Sequence, residues 1–269
     1  MDFDPVYQVI NGWVAPLLIS AAIASARSLG MVLITPAFNR LGMTGLLRNG
    51  VVLVISFPVI PLLFQELSAV ESLTTLSIGG LIIKELVIGL MLGLIFGIPF
   101  WAAELAGELV DIQRGSLMSQ LVDPSGSSEV GVTSTLLSIT IIALFFLTGG
   151  FSILLDGLYR SYSAWPPLVL IPSLSVSDGI SFLELLDSVM AVGLRMIAPI
   201  VIAILVADLI LAYLARMAPR LHVFDLSLAI KNLIFAILMV LYVAYIIPRM
   251  ISDLSVLHSA FNTLEGIIP

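Results

Sequence analysis

The chain has 269 residues, of which 59% are hydrophobic and only 11% are charged. An ordinary soluble domain has roughly 45–50% apolar and about 25% charged residues, so this composition excludes a water-soluble globular fold. The net charge is −7, and neither sign of charge forms a run, which excludes a nucleic-acid-binding surface. The chain has no cysteine and only two histidines, which excludes disulfides and thiolate or histidine-rich metal sites.

Long apolar segments recur along the chain. Residues 131–155 form 25 consecutive residues without a charge, more than the roughly 20 that cross a bilayer as a helix. We therefore predict an all-α, polytopic membrane protein, organised as one domain over residues 1–269 because no linker divides it. The predicted apolar segments, about six in number, are 14–36, 46–64, 78–101, 135–155, 189–213 and 233–251.

Several of these segments contain charged residues. Arg27 lies in the first segment, Lys84 and Glu85 in the third, and Arg195 and Asp208 in the fifth. Charges at that depth need partners or water, so they are either ion-relay groups of a transporter or structural ion pairs between helices. Prolines inside or at the ends of segments predict kinked helical hairpins: Pro58, Pro61, Pro99, Pro199 and Pro248.

Glycine recurs at every fourth position of the third segment, at Gly89, Gly93 and Gly97. Such residues share one helical face and let another backbone approach closely, so we predict a helix-packing face. Glycine is also generally common in membrane helices, which is the plainer reading.

The glycine face continues into an acidic row at Glu104, Glu108 and Asp111. These carboxylates could face a subunit or an aqueous lumen, coordinate a cation, pair with Arg114 at i+3, or simply be solvated. We predict no metal site, because no histidine or cysteine lies nearby.

A loop rich in turn-forming residues follows between residues 115 and 133. Its apolar side chains, Leu117, Met118, Leu121 and Val122, would be unfavourable in water. The loop is either an ordinary interfacial loop or a functional loop packed inside an assembly.

Enzyme motifs are absent from the sequence: there is no HExxH, GxSxG or P-loop pattern. We predict neither catalysis nor a cofactor. The residues alone leave two functions open, a subunit of a membrane complex or conduit, and a secondary transporter that uses the intramembrane charges.

Distinctive residues recur in a fixed order along the chain. They are Arg27, Pro36, Arg48, Glu85, Gly89, Gly93, Gly107, Asp111, Gln113, Gly115, Asp123-Pro124, Gly149-Gly150, Ser161-Tyr162, Trp165-Pro166, Ala218-Pro219, Val223-Phe224 and Lys231. This ordered set resembles the FliR/SctT family, the T-type subunit of type III secretion export gates. The chain departs from the family pattern around Arg220, His222 and Ala229, and it lacks a proline in 41–47. The spacing Tyr162-x-x-Trp165-Pro166 resembles injectisome more than flagellar members.

This resemblance implies a structural subunit that forms the entry of a conduit for unfolded substrate proteins in the bacterial inner membrane, within the secretion basal body. It implies R-type, S-type and U-type export-apparatus partners and packing in a helical hetero-oligomer. An R-like part would cover about 1–185 and an S-like part about 186–269. Many apolar segments would then be buried against sister subunits rather than lipid.

The resemblance also implies that the loop after the acidic row plugs the closed pore. Its apolar side chains would seal the lumen by dewetting and yield when a chain passes. The implied plug residues are Gly115, Ser116, Leu117, Met118, Ser119, Gln120, Leu121, Val122, Asp123 and Pro124.

Overall fold

A computed structural model describes residues 10–43, 45–69, 74–115, 131–169, 176–217 and 223–265 of the chain. Within these ranges every regular element is helical, which confirms the all-α prediction. A π-helical turn at Ile10–Val14 leads into the first helix. The α-helices are α1 (Ala15–Ile34), α2 (Pro36–Asn39), α3 (Gly45–Ser56), α4 (Ile60–Ser68), α5 (Thr75–Gln113), α6 (Val132–Leu147), α7 (Gly150–Ala164), α8 (Val176–Met217) and α9 (Val223–Glu265).

The helices are long and apolar enough for a polytopic membrane protein. Among the described residues, four stretches could each cross a bilayer: Gly12–Ile34, Thr75–Gln113, Val189–Met217 and Leu226–Leu254. Two bent helix pairs, α3 with α4 and α6 with α7, each pass the same criteria together. Four to six crossings result, which agrees with the predicted apolar segments.

The bend between α3 and α4 follows from proline. The two helices meet at 61°, and Pro58 lies in the turn that separates them. Proline has no N–H to donate and its ring clashes with the preceding turn, so α3 ends there. Pro61 lies in the first turn of α4, where the missing donor costs nothing.

The bend between α6 and α7 divides the segment that the sequence predicted as one uncharged span, 135–155. These helices meet at 72°. Gly149 adopts a φ of +78° at the junction, a left-handed conformation that favours glycine. The length of the apolar run therefore overstated the length of the helix.

Three further prolines do not end their helices. Pro99, Pro199 and Pro248 lie inside α5, α8 and α9, which continue through them. Membrane helices tolerate this because neighbouring groups can satisfy the freed carbonyl.

The chain divides into two compact units, each with its own core. The first comprises Met1–Gly97, Phe151–Phe182 and Leu257–Pro269, and in it α1 packs on α3 and α4. The second comprises Ile98–Gly150 and Leu183–Val256. Fully buried side chains include Ile23, Met31, Leu81, Leu92 and Leu154 in the first unit, and Phe100, Ile141, Phe145, Met196 and Ile204 in the second.

The helices differ in how much of their apolar surface the chain itself buries. The most apolar window is 50% buried in both the Gly12–Ile34 and the Thr75–Gln113 stretch. The corresponding fraction is 28% in α8 and only 6% in α9. The last two helices therefore present most of their apolar surface to whatever surrounds the chain.

Candidate functional site

The predicted glycine face of α5 lies against the backbone of α1. A Cβ at Gly89 would overlap the carbonyl oxygen of Arg27, and a Cβ at Gly93 would lie 2.7 Å from the carbonyl oxygen of Met31. Gly30 of α1 meets the α5 backbone in the same way at Leu86. Gly97 is buried in the same helix. At the described contacts the two helices approach so closely that even a methyl group is excluded.

Arg27 forms a buried hydrogen-bonded cluster within the first unit. Its Nε lies 2.6 Å from Oε2 of Glu85, and neither side chain is exposed. Its other nitrogens donate to Oγ of Ser161 at 2.9 Å and to the carbonyl oxygen of Trp165 at 2.8 Å. The guanidinium lies 4.0 Å from the centroid of the Tyr162 ring. One side chain of α1 thus holds α5 and the C-terminal end of α7 together.

Lys84 extends this cluster to the residues that follow α7. Its Nζ donates to the carbonyl oxygens of Pro166 at 3.0 Å and of Pro167 and Val169 at 2.8 Å each. It also lies 2.8 Å from Oε1 of Glu85, an ion pair whose geometry is not that of a hydrogen bond. Two cations therefore share one carboxylate. Both also donate hydrogen bonds to carbonyl oxygens near the C-terminal end of α7, where positive charge is favourable.

The two other predicted interior charges have different surroundings. Asp208 of α8 pairs with Lys231 of α9 at 3.0 Å, and its side chain is about one-third exposed. Arg195 is exposed and donates from Nε to the carbonyl oxygen of Ala191 in its own helix. The structure thus places Arg27, Arg195 and Asp208 in separate surroundings rather than in one cluster.

The acidic row of α5 has three different environments. Glu104 is half-buried, Glu108 is exposed, and Asp111 is completely buried. Asp111 Oδ1 lies 2.6 Å from a terminal nitrogen of Arg114, the i+3 pair that the sequence offered as one option. Its carboxylate also accepts bonds from Thr133 and Ser134 of α6. The row therefore does not form one continuous acidic surface.

The predicted plug residues lie almost wholly outside the described residues. Only Gly115 is described, in the turn after α5 with a φ of +76°. Residues 116–130 are not described, and the chain resumes at Gly131. In the described ranges no group of three acidic or histidine side chains could hold a metal ion.

Some residues of these clusters were not predicted as site residues from the sequence. Ser161 and Trp165 accept hydrogen bonds from Arg27, and Lys84 pairs with Glu85. Thr133 donates to Asp111, and Asn232 accepts from Arg114. The only sequence signals were the adjacent Lys84-Glu85 pair inside an apolar segment and the motif that contains Ser161 and Trp165.

Comparison with known proteins gives matches over most of the chain. The profile of the family described as Bacterial export proteins, family 1, matches residues 18–256. Yop proteins translocation protein T of Yersinia pestis is 34% identical over 227 residues, which cover 84% of this chain and 86% of that protein. Secretion system apparatus protein SsaT of Salmonella typhimurium is 30% identical over 244 residues, covering 88% and 90%.

A flagellar relative matches less of the chain. Flagellar biosynthetic protein FliR of Pectobacterium carotovorum is 28% identical over 204 residues, which cover 74% of each chain. The two secretion relatives above are therefore more similar to this chain than this flagellar protein, both in identity and in coverage.

Proposed function

This chain belongs to the family of bacterial export proteins, family 1, and we propose that it is the T-type subunit of a type III protein secretion export gate. In this proposal it forms the entry of a conduit for unfolded polypeptides in the bacterial inner membrane, within an injectisome basal body. Its partners are R-type, S-type and U-type membrane proteins. Residues 1–185 supply an R-like part and residues 186–269 an S-like part.

The low burial of α8 and α9 is the structural observation that best supports a subunit of a larger assembly. Only 28% and 6% of their most apolar windows are covered by the chain itself. These helices also carry Arg195, Asp208 and Lys231, and charged groups are unfavourable against lipid but acceptable against a polar partner or lumen. Protein partners on part of this surface would satisfy both features.

The loop after α5 is the proposed plug of the conduit. Leu117, Met118, Leu121 and Val122 would fill the constriction at rest, since apolar side chains exclude ions by dewetting and methionine adapts its shape. Glu104 is half-buried and Glu108 is exposed, which suits residues that face a lumen or a subunit.

A secondary transporter is the second candidate function from the sequence. The surroundings of the buried charges favour it less than they favour an export-gate subunit. Arg27 and Glu85 are completely buried and bonded to each other. Four further groups contact the pair: the Ser161 hydroxyl, the Trp165 carbonyl, the Tyr162 ring and the Lys84 ammonium group. A relay group needs room to exchange ions or protons. The arrangement supports structural ion pairing instead.

Assembly with partners is the first test of the proposed function. We expect affinity purification of the full chain from native membranes to recover smaller R-type and S-type membrane proteins and a U-type protein, identified by mass spectrometry. The isolated chain in liposomes should show no uptake of small solutes. Solute uptake by the isolated chain, with no co-purifying membrane protein, would favour the transporter.

Removal of the plug is the second test. We expect deletion of residues 116–122 to raise ion conductance across the inner membrane of growing cells, because the apolar seal of the conduit is lost. Replacing Leu117, Met118, Leu121 and Val122 with serine should raise it as well, which separates side-chain sealing from loop length. Membrane potential and efflux of potassium report the leak.

Control substitutions lie within the same loop. Changing Ser125, Ser127 and Ser128 to alanine alters the segment outside the proposed plug and should leave conductance at the wild-type level. Wild-type conductance in both the deletion and the serine variant would refute the plug while leaving family membership untouched.

A further inference from the structure

Asp111 joins the two ends of the segment 116–130. Its Oδ2 accepts the backbone N–H groups of Thr133 at 2.9 Å and Ser134 at 3.1 Å, and its Oδ1 accepts the Thr133 hydroxyl at 2.7 Å. These donors lie in the first turn of α6, where N–H groups lack partners within the helix. A buried carboxylate from the last turn of α5 therefore caps the N-terminus of α6, which also favours negative charge.

Arg114 also bonds the same carboxylate. Its Nε and a terminal nitrogen lie 2.9 Å and 2.6 Å from Oδ1 of Asp111. Among the described residues, at least five charge-assisted hydrogen bonds thus converge on this side chain, three from residues after the segment and two from a residue before it. Such bonds are roughly twice as strong as neutral ones.

Two glycines allow this close approach. A Cβ at Gly131 would overlap the Asp111 carboxylate, and a Cβ at Gly107 would overlap the backbone of Ser134. A larger residue at Gly107 would push the start of α6 away from α5, and one at Gly131 would displace the Asp111 carboxylate. The local sequence is therefore adapted to bring these two helix ends into contact.

The same helix end is bonded to the two C-terminal helices. Arg114 donates to Oδ1 of Asn232 at 3.3 Å and lies 4.7 Å from the centroid of the Phe235 ring. Lys231 donates to the carbonyl oxygen of Gln113, the last residue of α5, at 3.1 Å and pairs with Asp208 of α8. A displacement of α8 and α9 would therefore pull on the end of α5.

We propose that Asp111 is a positioning residue that holds both ends of the segment 116–130 together and, through Arg114 and Lys231, fixes them to α8 and α9. Asp111 then acts by bonding helix ends and does not line the lumen as the acidic row suggested. Its effect on ion leak rests on the proposed function. Its effect on the distance between the helix ends does not.

The test measures that distance directly in the full chain. The chain has no cysteine, so spin labels can be placed by Ile112→Cys and Val132→Cys, whose native side chains are 60% and 66% exposed. In lipid nanodiscs we expect double electron–electron resonance to give a single narrow distance. Asp111→Asn should replace that narrow peak with a broad distribution that extends to longer distances.

Gly131→Ala provides a second variant that keeps every charge. Its methyl group displaces the carboxylate, so the narrow distance should be lost as with Asp111→Asn. The single variant Asp111→Glu keeps a carboxylate and should retain part of the narrow peak. Asp156→Asn removes an aspartate from an exposed i,i+4 ion pair with Arg160 and is the matched control, expected to keep the narrow peak. If Asp111→Asn does not accumulate, Gly131→Ala decides the matter.

Ion leak in cells separates this proposal from the plug. A broadened distance together with raised conductance supports both proposals. A broadened distance at wild-type conductance supports the positioning role alone, and the deletion of residues 116–122 then decides the plug. An unchanged narrow distance in Asp111→Asn, or in Gly131→Ala where that variant decides, refutes the positioning role.

Discussion

Replacing Arg27 with methionine should destabilise the chain by about 3–5 kcal/mol, the usual effect of removing one partner of a buried ion pair. The substitution leaves Oε2 of Glu85, Oγ of Ser161 and the Trp165 carbonyl without their buried donor. Lys84 still pairs with Glu85, so the carboxylate keeps one cation. The unfolding midpoint in detergent, followed by tryptophan fluorescence, and the abundance of the chain in membranes measure the loss.

A double-mutant cycle distinguishes the ion pair from simple packing. Glu85→Met alone should be at least as harmful as Arg27→Met, because it leaves two buried cations facing each other. The double variant should be less destabilised than the sum of the single variants, since it leaves neither a carboxylate that has lost one of its two cations nor two cations facing each other. Additive effects would show that Arg27 and Glu85 are not energetically coupled.

The control for this cycle is an exposed ion pair. Arg160 and Asp156 lie at i,i+4 on α7 with half of each side chain exposed. Such pairs contribute about 0–1 kcal/mol, so Arg160→Met should leave the unfolding midpoint nearly unchanged. A loss equal to that of Arg27→Met would contradict the argument from burial.

Replacing Gly89 with alanine should separate α1 from α5. The added methyl group would overlap the backbone of Arg27, which cannot rotate away as a side chain could. Overpacking of this kind costs typically about 1–3 kcal/mol. Displacing the Arg27 backbone would also misplace its guanidinium, so we expect lower thermal stability.

Gly79 offers a matched control in the same helix. A Cβ there would meet nothing within 4 Å, so Gly79→Ala should be neutral or slightly stabilising, because alanine favours a helix by about 1 kcal/mol over glycine. Thermal unfolding of the two variants side by side is the measurement. Equal losses in both would show that the contact with Arg27 does not limit packing.

Hydropathy was sufficient to predict the helical class and the approximate number of crossings, because long apolar runs are a local property. The bend at Pro58 was also predictable, since the missing N–H acts on the same turn. The bend at Gly149 was not, because a left-handed glycine inside an apolar run resembles any other membrane glycine. The sequence therefore predicted those features whose cause lies within the same helical turn or apolar run.

The partners of the charged residues depended on tertiary contacts. Asp111 and Arg114 lie three residues apart, so their pairing could be anticipated from the sequence. Thr133, which also bonds Asp111, lies 22 residues further along the chain. Lys84 donates to backbone carbonyls, which every residue has. Carbonyl acceptors leave no mark in a sequence, so that part of the cluster could not be predicted.

The chain itself buries little of the most apolar part of α9, so a newly made copy without partners exposes that surface. A copy synthesised in excess of its proposed partners would expose apolar surface on its last long helix, since only 6% of the most apolar window there is buried by the chain itself. We expect such an excess copy to be degraded in the membrane and co-expression of its proposed partners to protect it. Cellular levels of this chain would then follow the supply of its partners rather than its own rate of synthesis.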